Sequence, residues 1–244
     1  MKAFTWLPAV ALALACAGSA PLAACPLLTL DEPNWPAVVG TYPQGGTPAA
    51  LGEQAVLFWL QRSRTAQDVA RAQGEDTPSF GCYARDIHLG PGAGLQDGGV
   101  DFRDFPRTQA VLDHARQDLW PVLQSLQATF ARPRPYTVFQ GLQPALPVSA
   151  GPSYPSVHAV LGCFFACIIA QYDPADKPAL EATGQLIGTD RVLGGVHYPS
   201  DVDAGQRLGH VYATWWINQH LSLIQTACGE WNAARAKAMG GARP

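Results

Sequence analysis

The segment "SVHAVLGCFFACIIAQY", residues 156–172, limits the fold more than any other stretch of the chain. It is apolar nearly all round, and a helix of that kind has to be enclosed by other elements. Its continuous apolar run is only about fourteen residues, short of the ~20 that a membrane crossing needs, so it predicts a buried central helix. Helices able to enclose it are legible on either side. Residues 51–73 and 107–131 carry helical apolar spacing, the second with Pro121 as an expected kink, and further helices are predicted over 178–192, 201–223 and, more weakly, 224–238. Residues 74–106, with "GPGAGLQDGG", and a stretch from about 135 to 155 are dense in breakers and read as loops. No long segment alternates as a strand would, and neither a repeat nor a domain boundary is visible. The predicted fold class is all-α, a single-domain helical bundle. With 48% hydrophobic and 14% charged residues among 244, the chain can fill a large core.

The two ends read differently. Lys2 followed by "FTWLPAVALALACA" and small residues has the order of an export signal over residues 1–24. "LAAC", ending at Cys25, resembles a bacterial lipobox, in which the cysteine is lipidated; the alternative is ordinary cleavage after an alanine near 20–24. Either way the expected location is the periplasm, or the outer membrane through a lipid anchor. Residues 25–50 read as an extended arm, 51–238 as the helical domain and 239–244 as a flexible tail. Cys82, Cys163, Cys167 and Cys228 would remain in an oxidising compartment, enough for two bridges or, for Cys163 and Cys167, for two small buried hydrophobes. The cysteine and histidine spacing offers no structural zinc site. A net charge of -3 gives no footprint for nucleic acid.

Chemistry concentrates in three short blocks. "RPRPY" (132–136) ends a helix with two arginines. "YPSVH" (154–158) opens the buried helix, with Ser156 as N-cap and Val157 and His158 in its first turn. "RVLGGVHYPSD" (191–201) sets Arg191, His197 and Asp201 around a Gly-Gly. Guanidinium forks and a helix N-terminus hold tetrahedral oxyanions, and a carboxylate can fix the tautomer of a histidine that attacks or moves protons.

In this order and spacing the blocks resemble the type 2 phosphatidic acid phosphatase superfamily, and within it the bacterial class A non-specific acid phosphatases, whose pattern runs KxxxxxxRP, PSGH, SRxxxxxHxxxD. Arg134, Pro135, Ser156, His158, Arg191, His197 and Asp201 fall in register, over a resemblance covering about 107–223. It implies a helical bundle of the acid phosphatase/vanadium haloperoxidase type and an exported phosphomonoesterase acting on a small phosphorylated substrate. His197 would be the nucleophile forming a phosphohistidine, Asp201 its orienting carboxylate and His158 the acid and base. Arg134, Arg191, Ser156, Val157 and Gln127 would line the phosphate site. No metal or cofactor is implied, and vanadate is expected as an inhibitor. The sequence departs from the pattern at Gln127 (family lysine), Val157 (family glycine) and Asp190 (family serine). Arg132 and Arg116 are the candidates to replace the missing charge, although Arg132 otherwise reads as a surface residue. His88, His114, His210 and His220 fall in no motif, and Trp215 and Trp216 read as packing residues. Two other readings stay open: a weakened descendant that binds an anion without turnover, and a vanadate-dependent haloperoxidase.

Overall fold

A computed structural model describes residues 31–75, 78–89 and 100–240. The export signal, Cys25 and the last four residues lie outside them. Ten α-helices run in the order α1 (Trp35–Val39), α2 (Pro48–Ser63), α3 (Ala66–Gly74), α4 (Pro106–Phe130), α5 (Pro135–Val138), α6 (Val157–Tyr172), α7 (Lys177–Leu193), α8 (Pro199–Gln219), α9 (Leu221–Gln225) and α10 (Cys228–Gly240), and no strand occurs among the described residues. The fold class is all-α.

The apolar segment behaves as its composition demands. In α6, Phe164, Phe165, Ile168 and Ile169 are fully buried, each worth about 1.5–3 kcal/mol of transfer free energy. Helices α7 and α8 flank α6 closely. A Cβ on Gly205 of α8 would lie 2.7 Å from the Ser156 carbonyl oxygen and 2.8 Å from Ala159 Cβ, so glycine is what lets α8 touch the start of α6. Gly205→Ala is therefore expected to cost about 1–3 kcal/mol of stability, read from the denaturant midpoint, because backbone must move to admit one methyl.

Several predicted boundaries shift, each for a local reason. The helix expected over 51–73 divides at Arg64, because Thr65 caps a new helix. Its Oγ1 accepts from Asp68 N (3.1 Å) while Asp68 Oδ2 accepts from Thr65 N (2.9 Å). Helix α4 runs through Pro121 without a break, with the proline on its exposed face. The described residues of the loop over 74–106 include three 3-10 turns, and the helix predicted to 223 is interrupted at His220. The arm is not simply extended. Asn34 caps α1, which buries Trp35 and Val39 against α8, with the Trp35 ring 5.1 Å from that of Tyr212. The four cysteines are thiols. Burial raises the pKa of both Cys163 and Cys167 to about 12, which suits their reading as small core hydrophobes. None of the described helices is long and apolar enough to cross a membrane.

Candidate active site

His197 and Asp201 come together because α8 begins between them. Tyr198 precedes the first turn, its N–H donates to Asp201 Oδ2 (2.9 Å), and the same oxygen lies 3.2 Å from His197 Nδ1. One carboxylate thus caps the helix and orients the imidazole. The Gly-Gly before His197 answers two separate constraints. Gly195 adopts φ +76, and a Cβ on Gly194 would fall 2.2 Å from Leu146 Cδ1.

The "RPRP" stretch supplies a cation at each end of this pair. Arg134 has extended dihedrals as the N-cap of α5. Arg134 Nη1 stands 2.9 Å from His197 Nε2. It also donates to Val196 O (3.1 Å), while Nε and Nη2 donate to Gly151 O (3.0 Å) and Pro152 O (3.2 Å). A guanidinium can only donate, so Nε2 accepts and the ring proton sits on Nδ1, facing Asp201. That tautomer leaves Nε2 unprotonated, with its lone pair on the Arg134 guanidinium. Burial pushes the His197 pKa below its ordinary value, with the nearby Arg134 charge adding to it against the opposing pull of Asp201. Burial also lowers the Arg134 pKa.

Arg132 corrects the sequence reading. It is not a surface charge but a residue 4% exposed. Nη1 donates to Asp201 Oδ1 (2.6 Å) and Ser200 Oγ (2.8 Å), and Nη2 donates to Glu53 Oε2 (2.7 Å). Glu53 Oε1 in turn accepts from Ser200 N (2.8 Å). The guanidinium lies 3.6 Å over the Tyr198 ring and 4.5 Å from that of Tyr42. The result is a relay of contacts, Glu53–Arg132–Asp201–His197–Arg134, buried up to His197. Glu53 was missed in the sequence. The available signal was its being the one acidic residue of α2.

The remaining expected site residues divide. Ser156 is fully buried, its N–H donates to Asp201 O (3.0 Å) and its Oγ caps α6 through Ala159 N (3.4 Å). Val157 and His158 follow in the first turn, both partly exposed. Gln127 Nε2 donates to Pro152 O (3.4 Å) and Pro155 O (3.3 Å), holding the loop that leads into that turn. Arg191 is buried and Nη2 donates to Ala72 O of α3, so part of its donor set is committed away from any anion. Its neighbour Asp190 forms a bidentate pair with Arg71 (2.8 Å each), which answers what the non-family aspartate does. Glu75 completes this cluster. Burial first, then the Asp190 carboxylate, raise its pKa to about 7. Arg116 does not replace the lysine: it donates to Pro78 O and lies over Phe165. A cleft of about 290 Å³ has Glu53, Arg132 and Tyr198 on its walls, but none of Arg134, His158 or His197, so it opens on the Arg132 side of the relay and not on His197.

The arrangement is an imidazole set between a carboxylate and a guanidinium. Residues 122–224, a segment that contains all three blocks, match the PAP2 superfamily model. Among curated relatives, the chain is 39% identical over 59 residues to a non-specific acid phosphatase of Salmonella typhimurium, a match covering 24% of each chain. It is 42% identical over 53 residues to an acid phosphatase of Zymomonas mobilis (22% of this chain, 20% of the relative) and 35% identical over 82 residues to a lipid A 1-phosphatase of Rhizobium johnstonii (33% and 31%). The matches thus span about a fifth to a third of the relatives' own lengths. A transmembrane PAP2-type phosphatidylglycerolphosphate phosphatase from Bacillus subtilis superposes with a TM-score of 0.47 at 19% identity, over 72% of this chain and 88% of that one. The relatives support a phosphatase-type hydrolase at family level.

Proposed function

We propose that the chain is a metal-independent phosphomonoesterase of the bacterial cell envelope, acting through a phosphohistidine on His197. The observation that carries this reading is the contact of His197 Nε2 with Arg134 Nη1 at 2.9 Å while Nδ1 faces Asp201. An entering phosphate would take the place of that contact, leaving Arg134 to donate to phosphate oxygens. Nε2 then attacks phosphorus, the P–O bond to the leaving alcohol breaks, and protonated His158 gives that oxygen its proton. Water attacks the phosphohistidine, His158 recovers a proton from it, and inorganic phosphate leaves. Asp201 stabilises the imidazolium character that develops on His197, and Arg134, Arg191 and the α6 N-terminus counter the charge building on the equatorial oxygens. With guanidinium groups in that role, no step calls for a metal. The N-terminal order of an export signal and the lipobox-like segment ending at Cys25 motivate the envelope location.

The test is hydrolysis of p-nitrophenyl phosphate by the purified chain at pH 5–7 with chelator present, followed by trapping of labelled phosphate on His197. Lipid A belongs in the substrate panel because of the Rhizobium relative. A chain that binds vanadate but hydrolyses none of these phosphoesters would instead be the weakened anion-binding descendant, and bromide oxidation with vanadate and peroxide would reveal a haloperoxidase. Gln127→Lys is expected to raise kcat/KM at least about tenfold, since one oxyanion contact is commonly worth about 10²–10³ in rate. An unchanged rate in a folded variant would mean that another group already supplies the charge.

A further inference from the structure

Two histidines that fall in no sequence motif meet at the far end of α8. His114 and Asp118 are one turn apart on α4, and His220 is the C-cap of α8. His114 Nε2 and His220 Nε2 each lie 3.4 Å from Asp118 Oδ2, and the three ligand atoms are mutually within 4.8 Å. A direct ring N–H to carboxylate bond is normally about 2.7–3.2 Å. A tetrahedral ion with bonds of about 2.0–2.1 Å separates its ligand atoms by about 3.3–3.4 Å. The two histidine–carboxylate separations are those of ligands around an ion, and the two imidazole nitrogens lie within 4.8 Å of each other.

The surroundings orient these groups as metal ligands are usually oriented. His220 Nδ1 is 2.9 Å from Trp216 O, which places the proton on Nδ1 and leaves the Nε2 lone pair directed at Asp118. Trp216 Nε1 donates to Asp118 Oδ2 (2.8 Å), and the His220 ring stacks on the Trp216 indole at 4.3 Å. Trp216 itself is fully buried, so two of the three groups are positioned by the core. The His114 side chain is 49% exposed, which leaves a side open for a water ligand.

We propose that His114, Asp118 and His220 bind one divalent transition-metal ion of the zinc class, with water as fourth ligand, joining α4 to the end of α8. Two imidazoles and one carboxylate favour zinc, cobalt or nickel over magnesium or calcium, which prefer all-oxygen sites. Asp201 lies nineteen residues back along α8, about 28 Å at 1.5 Å per residue, so the ion would clamp the fold without entering phosphoryl transfer. The proposal is independent of the phosphatase reading.

The experiment uses the purified chain, stripped with chelator and dialysed against Zn2+. The expected results are one equivalent of zinc by elemental analysis, the visible absorption of four-coordinate Co2+ when cobalt replaces it, and a rise in Tm of roughly 5–10 °C at saturating zinc. His114→Gln, at an exposed position where the fold is expected to persist, should lose the bound equivalent and the Tm rise. His220→Ala should do the same, and His88→Ala, at a histidine paired with Asp176, should retain both. Sub-stoichiometric zinc in the unaltered chain, or one equivalent retained by His114→Gln, would overturn the proposal.

Discussion

His197→Ala is expected to abolish phosphate-ester turnover, by at least about 10⁴-fold, while leaving phosphate or vanadate binding measurable. The magnitude follows from removing the atom that, on the proposed mechanism, would form the covalent bond; the other groups of such a site keep only residual catalysis. The fold should tolerate the change. Asp201 keeps its bonds from Tyr198 N and Arg132 Nη1, so no buried carboxylate is stranded. Rate and binding measured on the same preparation separate the two main readings. If both proteins are inert yet bind the anion equally, the site is a receptor and not a catalyst. The pH profile gives a second readout. The nucleophile works only when neutral, and burial pulls the His197 pKa below 6.5, so activity should persist below pH 6.5 where an ordinary histidine would be mostly charged. Stability moves the other way. The unfolded chain takes up a proton near 6.5 that folded His197 refuses, so this residue withdraws stability as pH falls from 6.5 toward its lowered value.

How far the sequence revealed this site depends on whether a role is local. The Ser156 cap is built within a few residues and its position is read directly, whereas the equally local Tyr198–Asp201 cap starts α8 two residues before the expected 201. The burial of α6 was equally legible, because an all-round apolar helix has one physical solution. Arg132 was misread because its environment is made by three distant elements. Glu53 comes from α2, Tyr42 from the arm and Asp201 from α8, and nothing in "RPRPY" announces which arginine faces which partner. The same holds for Arg191. Its place in the motif was plain, but its bond to Ala72 O and its neighbours Glu75 and Arg71 depend on how α3 packs on α7. His114 and His220, 106 positions apart in number, could be joined only by the packing of α4 against the end of α8.

Arg132→Ala should be the most damaging single change to the fold around the site. It leaves Glu53 and Asp201, 7% and 0% exposed, as two carboxylates without their shared cation. Breaking a buried pair from one side typically costs about 3–5 kcal/mol, because the partner charge stays buried and uncompensated. Its effect should extend to the chemistry. With Oδ1 released, the Asp201 carboxylate is free to rotate away from His197 Nδ1, and the tautomer that exposes Nε2 loses its anchor. Arg132→Lys should recover only part of the loss. A single ammonium cannot reach Glu53 Oε2, Ser200 Oγ and Asp201 Oδ1 together, and it lacks the planar face that lies 3.6 Å over Tyr198. Urea midpoints give the stability order expected, unaltered chain above Lys above Ala. Turnover assayed well below every midpoint should follow the same order, whereas a purely structural Arg132 would leave the rate of the folded fraction unchanged. A stability loss under about 1 kcal/mol for Arg132→Ala would show that the relay is not the cohesive element described.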